Sequence, residues 1–149
     1  MDNYNWSRAA ITNGTFASWG LRPEKTLQLV AADDIGLVAA RVFGRLEQYL
    51  GKTIELAGDE LTEQQIADTF GKVIGRPVTV TQPQMPEGAT PDAEQMAMFN
   101  FFNGPAYDAD LTALRTEFPG LQGFEQYLIS NGWKNAERMA ETEQPAWGS

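Results

Sequence analysis

The chain has 149 residues, 42% of them apolar and 11% aromatic, enough for one folded domain with its own core and too apolar for a disordered segment. Eleven Lys and Arg against twenty Asp and Glu leave a formal charge of −9, which disfavours phosphate backbones and anionic membrane surfaces as partners. Cys and His are both absent, so disulfides, thiol nucleophiles, imidazole bases and the common zinc sites are excluded.

The opening MDNYNWSRAAITNGTFASWG mixes aromatics with turn formers and shows no period, so it reads as an irregular lead with a short helix around Ser7 to Ile11. Asn13-Gly14-Thr15 fits a glycosylation acceptor, but nothing at the start resembles a secretory h-region, and the triplet reads more simply as a turn. TLQLVA, Thr26 to Ala31, is short and apolar, the signature of a strand. Asp33 or Asp34 then suits the cap of a helix, where a carboxylate accepts orphan N–H groups. Apolar residues at Ile35, Val38, Ala39, Val42, Phe43, Leu46 and Leu50 carry that helix to Gly51.

TIELA, Thr53 to Ala57, is a second expected strand. After it Thr62 and Gln65 have capping-box spacing, Ile66, Phe70, Val73 and Ile74 form an apolar face, and Gly75 is a fitting stop. Arg76 to Gln82 opens with proline and reads as an edge strand. PQMPEGATP is a connector, followed by helical patterns over Asp92 to Phe102, Ala109 to Phe118 and Gly123 to Asn131. The expected fold is therefore α/β: a small, mainly parallel sheet of about three strands in β-α-β-α-β order, with packed helices and a helical C-terminal section. Residues 1–133 form the domain, and 134–149 a polar, frayed tail.

Four blocks share an order and spacing with a known family. They are MDNY at Met1, LVAADDIGLVAARVF from Leu29, LGKTIELAGDELTEQQIADTFGKVIGRPV from Leu50 and YDADLTALRTEFPGLQGFEQYL from Tyr107. Over residues 1 to 133 the chain resembles the C-terminal part of NmrA-like proteins, atypical members of the short-chain dehydrogenase/reductase superfamily. The resemblance implies a preceding Rossmann half, whose Gly-rich turn holds dinucleotide phosphates at a helix N-terminus. This sequence has no G-x-G-x-x-G or G-x-x-G-x-x-G after a strand; Gly71 and Gly75 close a helix rather than open one. The Tyr-x-x-x-Lys pair of ordinary short-chain dehydrogenases is absent too.

Candidate site residues come from two places. The resemblance sets Asn3 and Tyr4 beside the cofactor and substrate cleft, against the plainer reading of a flexible N-terminus. Met96, Phe99 and Phe102 belong to MAMFNFF, whose apolar residues cover both faces of a helix. The resemblance makes this run a wall of the substrate pocket, while core or dimer interface is the plainer use. Trp6, Trp19 and Trp133 can join the same apolar surface. Asp33 and Asp34 read as caps rather than as an acid–base pair, and Asp59, Glu60 and Glu63 as a solvated first helical turn.

No EF-hand spacing supports a magnesium or calcium site, and no run approaches the ~18 apolar residues of a membrane helix. The expectation is a cytoplasmic NmrA-like lobe without its own dinucleotide site or catalytic residues, acting through binding or assembly. It binds no cofactor alone, and NAD(P) only when completed by a nucleotide-binding half. The flank that such a half covers is expected to meet a second copy, giving a homodimer, or another partner. The alternatives are a piece of an NAD(P)-dependent oxidoreductase and a stand-alone binder of small apolar ligands.

Overall fold

The computed structural model describes residues 1–82, 90 and 92–140. A 3-10 turn over Asp2–Ser7 leads into α1 (Arg8–Thr12), β1 (Thr15–Ala17) and β2 (Thr26–Leu29). Then come α2 (Ala32–Phe43), α3 (Leu46–Tyr49), β3 (Asp59–Thr62), α4 (Glu63–Ile74) and β4 (Thr79–Thr81). Three helices close the described chain: α5 (Ala93–Asn103), α6 (Leu111–Glu117) and α7 (Phe124–Ser130).

The α/β class and a parallel strand pair are both present, but the strands form two pairs where one sheet of three was expected. β1 runs parallel to β4, with Thr15 opposite Thr79. β2 runs antiparallel to β3, with Thr26 opposite Thr62 and Leu29 opposite Asp59. The helix from Ala32 stops at Phe43, and after Gly44 the short α3 turns the chain, so the return segment meets β2 head to tail. That reversal replaces the expected parallel crossover. Thr53 to Ala57 forms no ladder; Ile54, Leu56 and Ala57 pack into a core instead, and the paired strand follows at Asp59.

α4 holds the larger core together, and its boundaries follow from local chemistry. The Thr62 hydroxyl oxygen accepts from the Gln65 N–H at 3.2 Å, while the Gln65 side chain accepts from the Thr62 N–H at 2.8 Å. Gly75 ends the helix at φ +83, a left-handed conformation that favours glycine. Ile66, Phe70, Val73 and Ile74 are buried, with Phe70 edge-on to Phe124 at 5.1 Å and against Trp133 at 4.9 Å. Leu27, Leu29, Phe124, Tyr127 and Leu128 join this core. A second, smaller core gathers Val38, Tyr49, Ala57, Ala109, Leu114 and Phe118 under α2 and α6.

The stretch read as a frayed tail is tied down where it is described. The Asn135 N–H donates to Val73 O at 3.1 Å, Arg76 to Ala136 O at 2.7 Å, and the Asn13 amide to Met139 O at 2.7 Å. The rest of that tail, 141–149, lies outside the described residues, as does the connector at 83–91 apart from Thr90.

Candidate functional site

Of the residues expected at a ligand cleft, Tyr4 lies deepest. The 3-10 turn drives its ring into the main core, with centroids 5.4 Å from Phe70 and Phe124 and 5.9 Å from Phe16. Burial, and secondarily the negative charge of Glu63, pushes its phenol well above the ordinary tyrosine value. Tyr4 is thus enclosed by core side chains, while its neighbour Asn3 is exposed.

Met96 and Phe99 stand on the open side of α5, 42% and 40% exposed, and Phe102 packs against the main core. The helix begins in a capping box between Asp92 and Gln95 and is fastened at its far end by Asn103. The Asn103 carbonyl oxygen accepts from the Arg22 N–H at 2.8 Å, and its amide donates to Gly20 O at 3.2 Å and Phe99 O at 3.1 Å. A Cβ placed on Gly20 would sit 3.4 Å from the Phe99 ring, so the loop after Trp19 lies close against α5. Trp6 and Trp19 are partly exposed, but Trp133 is fully buried beneath the Arg8 guanidinium, 4.3 Å from its ring centre, so it takes no part in a surface.

A shallow cleft of about 350 Å3 opens at the end of α4, lined by Ala67, Asp68, Gly71, Arg76, Pro77 and Val78. None of the five expected pocket residues reaches it. Its one cation is occupied: Arg76 donates to Thr12 O and Ala136 O at 2.9 and 2.7 Å. Among the described residues no group of His, Cys, Asp and Glu is arranged to hold a metal ion.

Of the carboxylates that sequence reasoning places in solvent or at a cap, Asp33 and Glu60 are exposed, and Asp34, Asp59, Glu60 and Glu63 all accept bonds that brace the fold. Glu63 is buried and accepts from the Ser18 hydroxyl and the Trp19 N–H, drawing the loop after β1 onto α4. Asp59 accepts from the Phe124 N–H at 2.8 Å, at the start of α7. Glu60 accepts from the Thr26 hydroxyl and the Gln28 amide, which hold its carboxyl below the usual range. Asp34 is buried against Gln122, and neither it nor Asp33 caps α2; the cap residue is Ala31, with no side-chain bond. The carboxylate at that helix start belongs to Asp2, which accepts from the Ala32 N–H at 2.9 Å.

These features describe a small α/β lobe whose polar groups serve packing and whose apolar surplus lies outside. The chain belongs to the NmrA-like family, whose pattern it matches over residues 9–128. Its fold is similar to that of a solved mutant of NmrA, with a TM-score of 0.59 at 18% identity over 80% of this chain and 46% of that one. It is likewise similar to a monoclinic form of NmrA described as a negative transcriptional regulator, with a TM-score of 0.57 at 19% identity and the same two coverages. The chain thus spans less than half the length of the solved proteins it matches. No curated protein matches it.

Proposed function

We propose that this chain is an NmrA-like lobe that has no dinucleotide site of its own and acts by binding or assembly rather than by self-sufficient catalysis. The observation that carries this reading is the use of its glycines. A phosphate turn needs Gly-rich backbone opening a helix after a strand. Here Gly71 and Gly75 lie at the end of α4, and Gly75 closes that helix. A regulator among the structures with this fold is in keeping with a binding role. The proposed setting is the cytoplasm, and no helix among the described residues is long and apolar enough to cross a membrane. The proposed partner is a second copy or another chain covering the apolar flank.

A second reading is favoured by length. The matched solved chains are more than twice as long as the shared part, so this lobe would be completed by a further half, which on the family resemblance would make it part of an NAD(P)-dependent oxidoreductase. Calorimetric titration of the purified chain with NAD, NADH, NADP and NADPH tests the first reading, and the second is tested by whether an added nucleotide-binding half brings saturable binding to the mixture. The proposal expects no saturable heat; saturable binding at micromolar affinity would overturn it.

A further inference from the structure

We infer that the outward face of α2, continued by α3, is a two-fold docking surface for a second copy of this chain. This deepens the assembly reading above and rests on it. α2 turns Asp34 and Val38 inward and leaves its larger apolar side chains outside: Ile35 is 50%, Leu37 48% and Phe43 73% exposed. Leu46 and Leu50 extend the exposed apolar run at 55% and 82%. Single exposed apolar residues are ordinary, but here five fall within sixteen positions, Ile35 to Leu50, with Ile35 and Leu37 on opposite flanks of α2 and Phe43 on the outward side between them.

The middle of this face is thin. Ala32, Gly36 and Ala40 follow at four-residue steps and are all exposed. A Cβ on Gly36 would meet nothing within 4 Å, so the single chain sets no steric demand for glycine there. Glycine in a helix interior is nevertheless less favourable than alanine. A helix packed across Gly36 would make use of that gap, because small residues let two axes approach closely.

Charge selects the occupant. From Ala31 to Lys52 the exposed acids Asp33 and Glu47 balance the exposed bases Arg45 and Lys52, so this surface is neutral within a chain of −9. Two copies repel least where their surfaces carry no net charge. The face also carries opposite charges at its two ends, with exposed Asp33 in the first turn of α2 and exposed Arg45 just beyond the last. Antiparallel packing about a two-fold axis near Ala39 brings each Asp33 toward the partner's Arg45 and opposes the two helix dipoles.

Sedimentation equilibrium of the full chain over a concentration series tests the assignment. The wild type is expected to show a dimer at micromolar concentration. Phe43→Glu and Ala40→Arg, both at exposed positions, should each weaken it by about tenfold or more with unchanged circular dichroism. Asp33→Lys or Arg45→Glu alone should weaken association, and the two together should restore it. A monomeric wild type overturns the inference. So does a dimer indifferent to Phe43→Glu and Ala40→Arg, which would place the interface elsewhere, as on α5. A chain that binds nucleotide yet dimerises through α2 would defeat the proposed function alone.

Discussion

Asp33 and Asp34 are adjacent, yet one helical step of about 100° sends them to different surroundings. Asp33 is exposed; Asp34 accepts from the Gln122 N–H at 2.8 Å and its side-chain amide at 3.1 Å, fastening α2 to the segment before α7. Removing that carboxylate strands donors in a water-poor site, whereas removing its neighbour strands none. Asp34→Ala should therefore cost about 1.5–3 kcal/mol in a urea titration, and Asp33→Ala no more than about 0.5 kcal/mol. Equal losses would contradict the separation of roles. Glu63 follows the same logic with the Ser18 hydroxyl and the Trp19 N–H as its donors. Glu63→Ala should destabilise on the Asp34 scale, and Glu63→Gln, which keeps one acceptor oxygen, by less.

The N-terminal turn works as a brace for three elements. The Met1 amino group donates to Val30 O at 2.7 Å, one Asp2 oxygen accepts from the Ala32 N–H, and the other accepts from the Tyr127 hydroxyl at 3.1 Å. Asp2→Ala should lower stability by about 1 kcal/mol in a thermal melt, the scale of a lost helix-start acceptor, and Asp2→Asn should recover part of it. A melt unchanged by Asp2→Ala would show the brace to be idle. The brace also shows which elements a sequence can reveal. α4 is legible because Thr62, Gln65 and Gly75 act within a few residues of each other, and α5 to α7 carry similarly local signals, the Asp92 and Gln95 box among them. The start of α2 misleads because its acceptor, Asp2, lies 30 residues upstream and outcompetes the local candidates. β1 is three residues long and gains its ladder from β4, more than sixty positions away, so no local period marks it. β3 is polar because Asp59 and Glu60 bond across elements, while the more strand-like TIELA is claimed by the second core. Tyr4 comes forward through resemblance, and its aromatic neighbours are brought to it only by the fold.

At the scale of the whole molecule the absence of histidine shapes the response to pH. No side chain has an ordinary value between about pH 5 and 8, so the slope there belongs to the Met1 amino group, which burial lowers from about 8 and whose contribution is lost as pH falls through its folded value. The acid limb includes Glu60, whose depressed carboxyl contributes above its unfolded value of about 4.3 and loses that contribution as pH falls through the folded one. The alkaline limb is more distinctive. Tyr4 is raised by burial and then by the charge of Glu63; Tyr127 is raised by burial and then by Asp2, to which it also donates a hydrogen bond. Both phenols are held neutral in the fold, whereas in the unfolded chain they ionise near pH 10. The folded state therefore keeps their full contribution below about pH 10 and loses it as pH rises toward their folded values. For Tyr4 the loss can reach about 1.4 kcal/mol per pH unit. Urea midpoints across the alkaline range should fall steeply in the wild type and less steeply in Tyr4→Phe, with the acid limb unchanged. Phenolate absorbance from these two rings should appear only together with the loss of near-ultraviolet circular dichroism. If all the tyrosines ionise near pH 10 while that signal persists, Tyr4 is not enclosed by Phe16, Phe70 and Phe124, and the packing of the N-terminal turn against α4 is wrong.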